Sequence, residues 1–406
     1  MKKISGNPYL TKEDDNVSID SVDLSEITQK YKTPTMIFLE NRIRENIRTF
    51  NKVINSEFKN FECFYSFKAN FLPEICQIIL SERIGAEIVG LPELKLALKI
   101  GFPPEKIIIG GPYLTEELIE LSIKNQVKEI IIYDLNDLKK INDIAKRLNK
   151  IQEICIRINS QKFATKLGVF FNDKNIRALK EAINNYANIK IKSVLSHYST
   201  QMNDIKQFRK NANVIASNLN DLREYDIKID NINFGGGFPE ATVMQQNQLI
   251  NIAKEIKKIL EQFKINYENL YFEPGRYFVG DAGLFVTKVV KISENRWIFL
   301  DIGNHICPKF ARCSLRFYNA SQINEPHKHK TSIAGIIPTD QDVLAKNYFL
   351  NEKIKEGDHF IVTNTGAYCL TFSNRFPYRL PKILLIKDDH IQIIFDPDHD
   401  KDFSLN

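Results

Sequence analysis

Lys68 stands at the end of the apolar run Phe61–Phe67 and is followed at once by Ala69-Asn70. A lysine at the tip of a buried strand loses solvation, and desolvation favours the neutral, nucleophilic amine. That is the state that forms a Schiff base with an aldehyde. The plain alternative is a strand-end lysine whose stem packs while its ammonium reaches water. Three further signals come later in the chain. His197 lies in Ser196-His197-Tyr198-Ser199-Thr200-Gln201, Gly235-Gly236-Gly237 ends an apolar run, and Glu273 opens Glu273-Pro274-Gly275-Arg276. Consecutive glycines let backbone N–H groups close on an anion, because no Cβ blocks the approach. Singly, each signal has an ordinary reading as a flexible turn, a hydrogen-bonded strand histidine or a surface turn. In this order they supply an amine, an anion cradle and an acid.

The elements that must position these residues recur along the chain. Candidate strands are Phe64–Lys68, Glu87–Val89, Ile107–Gly110, Glu129–Asp134, Glu153–Ile158, Ser193–Tyr198, Asn231–Gly236 and Asn269–Pro274. Between them lie stretches of helical period, such as Thr115–Asn125, where Leu118, Ile119 and Ile123 share one face. Strands alternating with helices imply parallel βα units, and eight near-equal units favour a (β/α)8 TIM barrel over a doubly wound sheet. The C-terminal ends of barrel strands gather the active site. Lys68 ends the first predicted strand, His197 the sixth, the glycine triplet the seventh and Glu273 the eighth.

After Gly283 the pattern changes. Leu284–Ile292, Arg296–Ile302, Ser332–Ile337, His359–Thr363, Ile383–Ile386 and Ile391–Phe395 read as strands with little helical spacing between them, an all-β domain. Thr35–Leu39 is an early strand ahead of the barrel. The expected organisation is an N-terminal segment 1–40 joining the β domain, a barrel over 41–282 and a β domain over 283–406.

At 406 residues the chain is long enough for two domains. Its 43% hydrophobic and 26% charged residues are those of an ordinary globular protein. The net charge of +6 is spread among acidic residues, which argues against nucleic acid as a partner. No apolar run approaches a bilayer span, and Met1–Asp20 is polar, without a signal-peptide core. Cysteines 63, 76, 155, 307, 313 and 369 form no CxxC pair and no metal spacing, so free thiols in a cytoplasmic enzyme are expected.

The ordered set resembles the fold-type III pyridoxal phosphate (PLP) dependent decarboxylases, the group of diaminopimelate, ornithine and arginine decarboxylases, whose barrel is of the alanine-racemase type. The resemblance runs from Thr33-Pro34-Thr35 through Gly85-Ala86-Glu87 and Gly110-Gly111-Pro112 to Gly366-Ala367-Tyr368. It implies that Lys68 carries PLP and that His197 stacks on the pyridine ring. It further implies that Gly235, Gly236, Gly237, Gly275 and Arg276 hold the phosphate, with Thr200 where the family usually has a serine. Glu273 matches the acid beside the pyridine nitrogen, and Tyr368 a tyrosine reaching the phosphate from the β domain. Asp342 matches an aspartate supplied across a dimer interface, and Arg157 the arginine of the fifth-strand region. The implied activity is decarboxylation of a diaminopimelate- or ornithine-like amino acid, or of an unusual or carrier-linked one, by a homodimer with sites at its interface. Related racemases place an arginine beside the pyridine nitrogen, so Glu273 favours decarboxylation. A racemase-like or oxidative variant and a non-catalytic regulatory homologue are the alternatives.

The chain departs from that family where substrate and proton donor are set. Pro338 occupies the place of the cysteine that donates a proton to Cα, four residues before Asp342. Asn304–Lys309 lacks the arginine-rich substrate segment, the loop before Lys166-Leu167-Gly168 is short, and Phe376-Pro377-Tyr378-Arg379 replaces a substrate-closing aromatic. Cys307, His305, Thr339 and Lys68 are the candidate donors. His305, Arg312, Arg316 and Asp342 are the candidate substrate-binding residues, with Lys309 beside them. A buried structural aspartate and solvated basic side chains are the ordinary readings of the same positions.

Overall fold

The computed structural model describes residues 2–160, 165–308 and 315–400. The chain divides into two compact units, one of residues 47–239 and 243–275, the other of residues up to Asn46, Glu240–Thr242 and the chain from Arg276 on. The change of unit at Arg276 falls earlier than the expected edge at 282, because the short helix Arg276–Val279 and the turn Gly280–Ala282 lead straight into the strand Gly283–Ile292.

The first unit is a closed barrel of eight parallel strands alternating with helices. The eighth strand, Asn269–Phe272, closes on the first, Phe61–Ser66, with Leu270 opposite Phe61, Tyr271 opposite Glu62 and Phe272 opposite Cys63. Phe64, Ile108, Ile131, Cys155, Leu195 and Tyr271 pack together as a buried core of strand residues. Helix Glu116–Asn125 buries Leu118, Ile119 and Ile123, and Thr115 caps it by accepting the Leu118 N–H. Several predicted strands run too far at their C-terminal ends. The first stops at Ser66, and Lys68 sits in the adjoining single turn Phe67–Ala69. There the Tyr65 hydroxyl donates to the Asn70 carbonyl and the Asn70 side chain accepts the Leu72 N–H. Composition stays apolar through Phe67, whereas ladder pairing ends earlier.

The second unit is built on a sheet in which Thr35–Leu39 lies between Gly283–Ile292, antiparallel, and Lys382–Lys387, parallel. The early strand therefore belongs with the C-terminal β-rich part, as its sequence position suggests. Sequence reading passes over the strands Arg316–Asn319 and Val343–Leu350. The second of these is interrupted by a left-handed residue, Asn347, whose φ is 53°. It also gives no sign of a four-stranded antiparallel sheet over Lys2–Asp23, whose Leu10, Val17, Ile19 and Val22 pack against Leu284, Tyr318, Ile361 and Leu384. Among the described residues no helix is long and apolar enough to cross a membrane. No group of His, Cys, Asp or Glu side chains among them is placed to hold a metal ion.

One barrel residue sets a pH dependence. Glu129 is fully buried, its Oε2 accepts from the Ser193 hydroxyl, and its Oε1 has no partner among the described residues. Burial pushes its carboxyl up to about 7. A carboxyl whose folded value is raised holds its proton more tightly when folded, so stability falls as pH rises from about 4.5 toward 7. Glu129→Gln should be more stable than the parent at pH 8 by on the order of 2 kcal/mol, with the gap closing toward pH 5 in denaturant titrations.

Candidate active site

At the mouth of the barrel the lysine is not desolvated in the way its sequence context suggests. Its side chain is 42% exposed, and Nζ lies 2.5 Å from Glu87 Oε2. Glu87 lies on the second strand, Gly85–Ile88, and is itself buried; the same Oε2 accepts from the Ser66 hydroxyl. An ion pair at a cavity rim, rather than an apolar pocket, thus sets the lysine's surroundings. Gly275 packs against the turn that carries it, since a Cβ there would stand 2.9 Å from Ser66 Cβ and 3.0 Å from Ala69 Cβ.

Strand closure brings Glu273 to the same mouth. Its Oε1 accepts from Asn233 Nδ2 at 2.8 Å, while Asn233 Oδ1 accepts the Gly235 N–H at 2.8 Å. Burial, reinforced by the charge of Glu87, raises the Glu273 carboxyl to about 7, with Lys68 the strongest of the opposing groups. Glu93, on the helix Leu91–Ile100, accepts the Val89 N–H at 2.7 Å and is likewise pushed up to about 7, first by burial. Three carboxyl groups therefore act electrostatically on one lysine.

His197 comes just after the sixth strand, Ile189–Leu195. Enclosure by protein, then the positive charges of Arg157 and Lys68, push its imidazole down to about 3, so it is neutral at physiological pH. Its Nδ1 accepts the Gly236 N–H at 3.2 Å, which assigns the proton to Nε2. Arg157 donates to the Tyr133 hydroxyl at 2.8 Å and lies 4.7 Å from that ring's centre. The glycine triplet is required by backbone space. Gly235 and Gly237 have φ of 64° and 90°, and a Cβ at Gly236 would stand 2.6 Å from the Glu273 carbonyl oxygen. Thr200 is exposed in the loop after His197.

In the β-rich unit Arg276 is buried, with Nη1 2.9 Å from Glu240 Oε1 and its guanidinium carbon 4.8 Å from the centre of the Tyr368 ring. The remaining expected residues have partners of their own. Asp342 is turned inward: Oδ1 accepts the Asn304 N–H and Oδ2 the Ile337 N–H, each at 2.7 Å. Gly303 and Gly335 leave it room, since a Cβ on either would stand 2.6 or 2.4 Å from Oδ2. Both carboxylate oxygens of Asp342 are thus held by backbone N–H groups of its own chain. Arg316 donates from Nη1 to the Gly6 carbonyl at 2.7 Å. His305 is 2% exposed and meets the Tyr378 ring at a tilt of 56°, 5.4 Å between ring centres. Arg312 and Lys309 lie outside the described residues. Sequence reasoning gives Glu87 no role and passes over Glu240 entirely; an acid near the end of an apolar strand is the available signal for the first.

Residues 40–280 match the family described as "Pyridoxal-dependent decarboxylase, pyridoxal binding domain". The chain belongs to that family. The diaminopimelate decarboxylase of Aquifex aeolicus is 27% identical over 414 residues, covering 96% of this chain and 94% of the relative. That of Methanocaldococcus jannaschii is 27% identical over 419 residues, with coverage of 96% and 94%. The crystal structure of the M. jannaschii diaminopimelate decarboxylase with L-lysine superposes with a TM-score of 0.87 at 24% identity, over 96% of this chain and 95% of that one. The chain is thus a PLP-dependent amino-acid decarboxylase, a carboxy-lyase with the barrel and β domain of fold type III.

The inward aspartate has a measurable signature. Asp342→Ala leaves two backbone N–H groups without their carboxylate and should lower folding stability by about 3 kcal/mol, read by denaturant titration. A residue that only bound substrate would leave stability unchanged.

Proposed function

We propose that this decarboxylase acts on an α-amino acid with a second polar group at its far end, as a homodimer in the cytoplasm, with Lys68 as the residue that holds PLP. The observation that carries the reading is the Lys68–Glu87 pair beside a carboxyl, Glu273, poised near neutrality. The residues fit the coenzyme: an amine for the aldehyde, a neutral flat imidazole for the ring, an acid for the ring nitrogen, and Cβ-free backbone for the phosphate. When bound, PLP supplies an electron sink for the pair released as the Cα–carboxylate bond breaks.

The chain's own groups then divide the work. Glu87 Oε2 accepts a proton from Lys68 Nζ, freeing the amine's lone pair. Glu273, fixed by Asn233, would be the acid to pair with the ring nitrogen when the coenzyme is bound; a cation beside it would draw its carboxyl back from about 7 toward the ionised form. His197, with Nδ1 engaged by Gly236, keeps an uncharged ring face. Gly235, Gly236, Gly237, Gly275 and Arg276, with Thr200 and Tyr368, are assigned to the phosphate. Among the candidate donors, Cys307 and His305 are buried, and Thr339 is an exposed hydroxyl. Lys68, with Glu87 to pass it a proton, is the donor we assign to Cα in place of the residue lost at Pro338.

The exposed aromatics Phe372, Phe376 and Tyr378 support a second copy of the chain as partner. Cys63, Cys76, Cys155 and Cys369 are free thiols, which suits a reducing compartment. The relatives' names make diaminopimelate the first substrate to try, with lysine, ornithine, glutamate derivatives and carrier-linked amino acids beside it.

The test is to record released CO2 and coenzyme absorbance across that set. The parent should be yellow and release CO2 from at least one amino acid. Lys68→Ala should lose both the imine absorbance and turnover. A yellow alanine variant, or racemisation without CO2, sinks the reading.

A further inference from the structure

Arg276 is held on three sides by groups of its own unit. In the guanidinium plane Nη1 meets Glu240 Oε1 at 2.9 Å, and both side chains are almost wholly removed from solvent, at 4% and 0% exposure. Across its face lies the ring of Tyr368, 4.8 Å from the guanidinium carbon, and Tyr368 adopts a left-handed backbone with φ 65°. Behind it Gly280 gives both partners room: a Cβ there would stand 2.7 Å from Glu240 Cγ and 3.1 Å from Arg276 Cγ. The Tyr368 segment is itself pinned, since the Gly366 N–H donates to the Gly280 carbonyl at 2.9 Å and the Thr365 N–H to the Gly283 carbonyl at 3.0 Å.

Glu240 is an unusual neighbour for an arginine assigned to an anion. A carboxylate there offsets part of the positive charge a phosphate would use, and burial raises its carboxyl while Arg276 pulls it down. Its second oxygen, Oε2, has no hydrogen-bond partner among the described residues. What it supplies is orientation. A long side chain with many rotamers is fixed in one pose before any ligand arrives, and a preorganised fork loses less freedom on binding. Glu240 also stands in the same loop as the glycine triplet, in Gly235-Gly236-Gly237-Phe238-Pro239-Glu240.

We propose that Glu240 is a positioning residue for coenzyme binding, aiming Arg276 at the phosphate and acting through hydrogen-bond geometry rather than through charge. The inference rests on the assignment of Arg276 to the phosphate. It therefore separates variants by whether Nη1 keeps an acceptor. Glu240→Gln retains an oxygen for Nη1 and removes the charge. Glu240→Ala removes both. Gly280→Ala leaves the carboxylate in the chain but pushes it out of place.

The experiment titrates coenzyme-free protein with PLP and, separately, with pyridoxal, which carries the aldehyde but no phosphate, monitoring imine absorbance. The ratio of the pyridoxal to the PLP dissociation constant isolates the phosphate's share of binding, and the pyridoxal value reports whether the amine site is intact. Glu240→Ala and Gly280→Ala should each weaken PLP about tenfold with pyridoxal unchanged, and Glu240→Gln should stay near the parent. An unchanged or enlarged ratio in the alanine variants would make Glu240 a mere counter-charge and overturn the proposal. So would a glutamine variant as impaired as Glu240→Ala. Arg276→Ala is the control for the underlying assignment: if it leaves the ratio at the parent value, the phosphate role of Arg276 fails, whatever the Glu240 variants do.

Discussion

Closure of the barrel is the constraint on which the site depends. Pairing of Asn269–Phe272 with Phe61–Ser66 sets the end of the last strand beside the end of the first. Lys68 and Glu273, far apart in sequence, thereby come close enough for the lysine's charge to act on the acid. Parallel strands that alternate with helices all point their C-terminal ends one way, so the residues at those ends share one rim. A one-residue slip in that closing pair would turn the inward residues outward and undo the shared core of Phe64 and Tyr271.

The electrostatics of the rim arise from crowding. Glu87 pairs with the Lys68 ammonium, whose charge also acts on Glu93 and Glu273, and these two have carboxyls raised to about 7, first by burial. Enclosure thus favours the neutral forms of Glu93 and Glu273. His197 is driven the opposite way by the same enclosure and by its cationic neighbours, so acids and base meet near neutrality as uncharged or half-charged groups.

Much of this is legible in the sequence because the barrel's signals are local and periodic. The strands show as short β-rich runs, Thr115 announces its helix, and the glycine triplet marks backbone space that only glycine leaves. The features that escape are decided by partners with no side-chain signature. Asp342 and Arg316 look like ligand residues by type, and their type does not announce the backbone groups they bond, the N–H of Asn304 and Ile337 and the carbonyl of Gly6. The solvation of Lys68 is hidden for a related reason. An apolar run predicts burial of the residue at its end, but Glu87 on the neighbouring strand keeps that end polar, and strand register is not written in either segment alone.

Asn233 is a directional element. A carboxamide has one donating and one accepting end, and here the donating end faces Glu273 while the accepting end faces the amide of Gly235. Aspartate would set two acceptors nose to nose, and a hydrophobe would release both neighbours together. The side chain thus acts as a polarised strut, joining the acid at the end of the last barrel strand to the glycine loop. A shift of either neighbour therefore strains the bond to the other.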